Sequence, residues 1–217
     1  MGPFEAAAPG RPSCGRNRLL EVLSCPVAVS NNAVAGVVLH YLEDNPGEIE
    51  TLSPLVLALI EGAGPVTDAA TMPAHVTWGA VAVTADWRVL HVRHRGSAGW
   101  LLPGGHVDAA DRSLLGAALR GLAERTGIAA NSVIPDTVYP IDIDAQVVSA
   151  DPVREEPSHV HYDARFVLYV PDETAQPCSA ETVDHRWIPV RDLSGTLGDK
   201  LRARCARDAR TERAHLA

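Results

Sequence analysis

The reading of the fold turns on the stretch Trp100-Leu101-Leu102-Pro103-Gly104-Gly105-His106-Val107-Asp108, which continues through Asp111-Arg112-Ser113 and ends Ala118-Leu119-Arg120-Gly121-Leu122-Ala123-Glu124-Arg125-Thr126-Gly127-Ile128. It starts as a short apolar strand, meets a Gly-Gly turn, crosses an acidic loop and enters a helix that Gly127 closes. Leu115, Leu119 and Leu122 fall at i, i+4 and i+7, which gives the helix a buried stripe. Asp111 or Ser113 can cap its start.

Upstream, residues 1–15 are rich in Pro, Gly and Ala and read as a loose leader. From about Arg16 to Glu61 the pattern is helical. Val34, Val37, Val38, Tyr41 and Leu42 recur at helical spacing, and a second run, Leu52 to Ile60, follows the Asn45-Pro46-Gly47 turn. Gly62-Ala63-Gly64-Pro65 ends it. Val76 to Thr84 and Arg88 to Arg93 predict a hairpin around Ala85-Asp86-Trp87. Downstream, Val138 to Val148 and His185 to Val190 predict strands. Between them, His159, His161, Asp163 and Arg165 alternate with Val160, Tyr162, Ala164 and Phe166, so the strand from His159 to Val170 has one polar and one apolar face. Leu197 to His215 predicts a charged terminal helix. The domain reading is therefore a leader (1–15), a helical extension (16–70), a main domain (71–193) and a C-terminal helix packed on or trailing it (194–217).

Composition bounds the function. Hydrophobic residues at 46% and charged residues at 21% suit a globular chain, and the length allows one well-buried domain with an appended element or two small domains. A net charge of −8 argues against a nucleic-acid binder, which needs a basic face. Cys14, Cys25, Cys178 and Cys205 lie far apart, neither a disulfide framework nor a zinc signature. The N-terminus has no apolar signal core, Ala6 stands where a myristoylation signal wants Ser or Thr, and the longest apolar run, Leu55 to Ile60, is too short to span a bilayer. These features lead to the expectation of a cytoplasmic protein without membrane attachment.

The central stretch resembles the Nudix box, G-x5-E-x7-R-E-U-x-E-E-x-G-U, where U is a bulky aliphatic residue. Gly105 takes the leading Gly, Asp111 the first acid, Arg120 the Arg, Leu122 the first U, Glu124 the first of the paired Glu, Gly127 the Gly and Ile128 the last U. Eight residues rather than seven separate Asp111 from Arg120. Gly121 stands where the family has Glu, and Arg125 replaces the second Glu of the pair. The flanks around His75, Trp100–Val107, Asp142–Asp144, Glu156–Asp163 and Arg186–Val190 are similar to bacterial Nudix proteins with a helical N-terminal extension. The resemblance implies an α+β fold, a mixed β-sheet sandwiched between helices. It also implies cleavage of a diphosphate bond in a nucleoside diphosphate linked to another group (coenzyme A, ADP-ribose or a nucleotide sugar), by water attack assisted by Mg²⁺ or Mn²⁺.

Positions 121, 124 and 125 share one helix face, which in the family carries carboxylates for the metal. Here the face carries one carboxylate and one cation. The resemblance makes Glu124 the main metal ligand, with Asp108, Asp111 and the Gly104 carbonyl as helpers and Glu181 as a ligand from the distal loop. Arg120 then orients the catalytic loop, and Arg125 is placed to pair with a phosphate directly. No general base stands out, because the family's Glu is Gly121. The alternative is a weak or inactive Nudix fold that binds a nucleotide or diphosphate compound as a sensor or biosynthetic accessory.

Outside the helix, Gly104, Gly105 and His106, with His159, His161, Asp163 and Arg165, are candidates for substrate contact; their bland counterparts are loop packing and a solvated strand face. Trp78, Trp100 and Trp187 read as core or loop-anchoring aromatics rather than base-stacking platforms. The helical extension could serve a homodimer.

Overall fold

The computed structural model describes residues 29–62, 64–95, 99–152, 155–171 and 182–215, with side chains to residue 210. The leader, the segment before Val29, Glu181, and three of the cysteines (Cys14, Cys25 and Cys178) lie outside the described residues.

Helix α1 (Asn31–Asp44) starts at Ser30, whose hydroxyl accepts the Ala33 amide, and buries Val34, Val38 and Tyr41. These are positions of the expected stripe. Helix α2 (Ile49–Glu61) buries Leu52 and Leu55 and stops at Gly62, which takes the left-handed φ of 65° that closes a helix without a Cβ clash.

Seven strands follow with one helix among them: β1 (Ala74–Val83), β2 (Arg88–His94), β3 (Gly104–His106), α3 (Leu114–Thr126), β4 (Ile134–Pro135), β5 (Asp142–Val148), β6 (His159–Tyr169) and β7 (Thr182–Pro189). They form one sheet in the order β4-β6-β1-β2-β7, with β3 on β1 and β5 on β6. The long central strands β1 and β6 run parallel, in register from Ala74↔Val160 to Val83↔Tyr169. Helix α4 (Gly195–His215) ends the described chain.

Alternation along β1 divides the core in two. Val76, Trp78, Ala80 and Ala82 pack with α3 (Leu114, Ala117, Ala118, Leu122) and with Val34, Val38, Leu52 and Leu55 of the extension. Val81 and Val83 face the other way and pack with Val167, Val190 and Leu201 of α4. The sheet therefore lies between helices, which is the expected α+β sandwich. No helix among the described residues is long and apolar enough to cross a membrane.

Three expected strands differ in extent. The hairpin after β1 pairs only at Val83↔Val89, because β2 diverges to pair along its length with β7. β5 begins at Asp142 rather than Val138: Thr137 bonds locally to Tyr139 in a turn, and Pro140 has no amide to give a ladder. Leu101 contributes only a bridge to Val92, and the strand proper starts at Gly104.

The extension is tied to the domain through a polar junction. Lys200 of α4 donates to Tyr41 Oη (2.5 Å), Glu48 Oε1 (2.8 Å) and Asp142 Oδ1 (2.8 Å). Burial works against the Lys200 charge, but the bonds to Asp142, Glu48 and Tyr41 outweigh it and hold its pKa above the usual lysine range. Replacing Lys200 with Met leaves Asp142 and Glu48 without their shared cation. The expected loss is roughly 3 kcal/mol, the low end for breaking a buried ion pair because Lys200 keeps some exposure. Urea unfolding measures it, and a loss under ~1 kcal/mol contradicts the junction.

Candidate functional site

The box helix is committed to packing. Ser113 caps α3 by accepting the Gly116 amide (3.0 Å), so the cap is Ser113 rather than Asp111. Asp111, almost fully buried, receives both Arg120 Nε (2.8 Å) and Nη2 (2.7 Å) and the Asp108 amide (2.7 Å). Burial alone would push the Asp111 carboxyl up; the Arg120 bonds, the Asp108 amide and the Arg120 charge together hold it below the usual range. The remaining arm of Arg120 reaches Glu124 at 2.8 Å. Arg120 thus braces the loop before the helix. Asp111 commits both of its oxygens to that brace and Glu124 its Oε2, and Asp108 turns its Oδ1 to the Ala110 amide.

Gly121 has a direct cause. A Cβ built there would lie 1.9 Å from Cζ2 of Trp78, a ring that is fully buried and donates its Nε1 proton to the His106 carbonyl (2.9 Å). The indole fills the space that a residue-121 side chain needs. Arg125 continues the same packing: its guanidinium carbon lies 5.8 Å from the Trp78 ring centroid, and its Nη2 lies 2.8 Å from where a Gly105 Cβ would be. Hard divalent ions require several oxygens. This helix presents one carboxylate, Glu124, largely exposed and paired with Arg120, beside a guanidinium. This helix face therefore supplies one of the several oxygens that magnesium or manganese needs.

The cleft lies on the opposite face of the sheet. Its volume is about 400 Å³, within the range of small-molecule sites. Thr77, Gly79, His161, Asp163, Arg165 and Gln146 line its floor, Gly104, Gly105 and His106 one side, and Trp100, Leu101, Leu102, Leu193 and Leu197 an apolar wall. The β1–β6 register builds the floor by pairing His75↔His161, Thr77↔Asp163 and Gly79↔Arg165. Gly79 is required because a Cβ there would come within 2.9 Å of Arg165 Cγ. Arg165 lies across it and holds Asp142 Oδ2 (3.0 Å) and Asp144 Oδ2 (2.5 Å). Thr77 donates to Asp163, yet burial outweighs that bond and pushes the Asp163 carboxyl up. Burial and the facing rings of His75, His106 and His159 hold His161 down to about 4.

The predicted site residues therefore separate. Gly104, Gly105, His106, His161, Asp163 and Arg165 come together around the cleft; Arg120, Glu124, Arg125, Asp108 and Asp111 are outside its lining. His159 is on the same strand face but buried behind His161. Thr77 and Gly79 complete the floor, and His75, on the same strand, lies buried beside His161. The three alternate with Val76, Trp78 and Ala80, but that alternation does not single them out as a site; only the pairing of β1 with β6 shows that this polar row abuts the other. Trp78 is core, as expected, and Trp100 lies at the cleft with Arg186 over its ring at 4.5 Å.

The chain matches the family model described as NUDIX domain over residues 73–208, and it belongs to that family. Among solved structures, it is similar to a C. elegans Ap4A hydrolase binary complex (18% identity, 62% of this chain and 97% of that chain, TM-score 0.47). It is also similar to the NUDIX domain of Shewanella oneidensis NrtR complexed with ADP ribose (23%, 67% and 96%, TM-score 0.43). A third is a NUDIX family hydrolase from Clostridium perfringens (20%, 55% and 83%, TM-score 0.42). No curated protein sequence matches the chain.

Two measurements check this packing. Gly121→Ala gains about 1 kcal/mol of helix propensity, but overpacking against Trp78 outweighs it, for a net loss of about 2 kcal/mol. Combining it with Trp78→Leu costs less than the sum of the two single changes, and additivity in that cycle would contradict the contact. For Asp111, the depressed folded pKa means that its stabilisation is complete above the ordinary carboxylate pKa of ~3.9. That stabilisation is lost as pH falls through the lower folded value. Asp111→Asn is thus less stable than wild type by about 3 kcal/mol at neutral pH, and the gap narrows below ~pH 4; a constant gap in acid unfolding would refute it.

Proposed function

We propose that this Nudix-family chain binds a diphosphate-bearing small molecule of the nucleoside diphosphate-X class in the cleft over β1 and β6, and that its box helix does not run magnesium-dependent hydrolysis of it. One observation carries the second half: the Trp78 indole occupies the place of a residue-121 side chain, with Arg125 packed beside it. A carboxylate wall cannot be assembled there without displacing a buried tryptophan. The first half is supported by family membership and by the cleft, whose size suits a small ligand and whose floor sets imidazoles and Arg165 opposite an apolar wall. Coenzyme A, ADP-ribose and nucleotide sugars all fit this class. The chain then works as a sensor or a biosynthetic accessory.

A second reading, hydrolysis of the same bond by water attack, is favoured by the convergence of Asp163, His106 and His161 at the cleft. These are proton-transfer groups of the kind that the box lacks.

Calorimetric titration and product assays on ADP-ribose, coenzyme A, nucleotide sugars and nucleoside triphosphates with Mg²⁺ or Mn²⁺ separate the readings. The proposal expects saturable binding of at least one compound, no metal-stimulated turnover, and identical behaviour of Glu124→Gln. Turnover abolished by Glu124→Gln overturns it. Turnover that survives Glu124→Gln but is lost in Asp163→Asn establishes the second reading.

A further inference from the structure

Four imidazoles meet at one end of the cleft floor. His75 comes from β1, His106 from the end of β3, and His159 and His161 from β6. The His75 ring centroid lies 4.6 Å from that of His161, 5.0 Å from that of His159 and 5.1 Å from that of His106. His106 and His161 are 5.1 Å apart. Packed histidines normally satisfy both ring nitrogens, but here one does not. His75 is fully buried, and its Nδ1 pairs with the Thr71 carbonyl (3.2 Å). That bond places the proton on Nδ1 and leaves Nε2 with a lone pair, and Nε2 is buried with no hydrogen-bond partner.

We propose that His75, His106 and His161 bind a divalent transition-metal ion of the zinc type. Each offers a ring nitrogen, and the three atoms lie within 4.8 Å of one another. Tetrahedral zinc with Zn–N bonds of about 2.0–2.1 Å sets its ligands ~3.3 Å apart, so small ring rotations close the site. Neutral imidazoles select zinc, copper, iron or nickel over magnesium, which separates this site in kind from the oxygen-ligand chemistry of the family's box. Behind the set stands His159. Its Nδ1 pairs with the Pro157 carbonyl (2.9 Å) and its Nε2 lies 2.9 Å from His161 Nε2, so it orients the His161 ring as an outer partner. The His75 bond to Thr71 does the same for His75. His106 and His161 also line the cleft, so a fourth coordination position opens towards it. Three protein ligands with one open position is the arrangement in which zinc holds a water or a ligand oxygen. The site stands whether or not the cleft takes a diphosphate.

The test uses full-length, tag-free protein stripped with EDTA and titrated calorimetrically with Zn²⁺, and spectroscopically with Co²⁺. The expected result is a single ion per chain, with visible cobalt bands from nitrogen ligands and no thiolate charge-transfer band. His106→Ala and His161→Ala each weaken Zn²⁺ by about 100-fold or more, at or beyond the loss typical of an outer-shell residue, while His40→Ala on α1 binds as wild type. His106 is exposed, so its variant keeps the fold, which circular dichroism verifies. Absence of a stoichiometric ion, a thiolate band, or unchanged affinity in the His106→Ala/His161→Ala double variant overturns the proposal.

Discussion

The contact on which the site depends is the burial of the Trp78 indole against the bare backbone of Gly121. Trp78 points to the α3 side of the sheet, fills the space beside the helix and anchors β3 through its bond to the His106 carbonyl. A large ring at this point excludes any side chain at position 121, and Arg125 then lies along the same surface. Both positions that depart from the box pattern thus lie against the same ring. The same ring that leaves no room for a side chain at position 121 also anchors the segment carrying Gly104, Gly105 and His106.

Two further constraints shape the molecule. The parallel register of β1 and β6 puts two polar rows side by side, and Gly79 lets Arg165 cross between them. A polar floor therefore forms over an apolar core without interrupting either strand. At the far side, Lys200 gathers Tyr41, Glu48 and Asp142, which joins the helical extension, α4 and β5 in one junction. Asp142 also receives Arg165, so the junction is continuous with the cleft floor.

Arg120 illustrates how a residue can keep its place in a pattern while its partners change the meaning of the pattern. Its guanidinium is divided between Asp111 and Glu124. The acid that a linear comparison makes a metal ligand is a partner of the brace, and Glu124 is drawn along the helix surface at i, i+4.

The sequence by itself determined the α+β class, the two helices of the extension, the long alternating strand β6, and the identity of the box positions with their two substitutions. The class follows from the resemblance to the Nudix box; the helices, the strand and the two substitutions are matters of local periodicity or spacing, which survives in one dimension. It also offered Trp78 as a core or loop-anchoring aromatic, and the His161–Asp163–Arg165 face as either a cleft lining or a solvated strand face. Only the tertiary structure decided that Trp78 and Gly121 exclude each other, since they are 43 positions apart and meet through sheet–helix packing. The same holds for His75: its neighbours in the chain say nothing of His106 and His161. Strand pairing brings those rings together, and register, unlike periodicity, is a property of two strands at once.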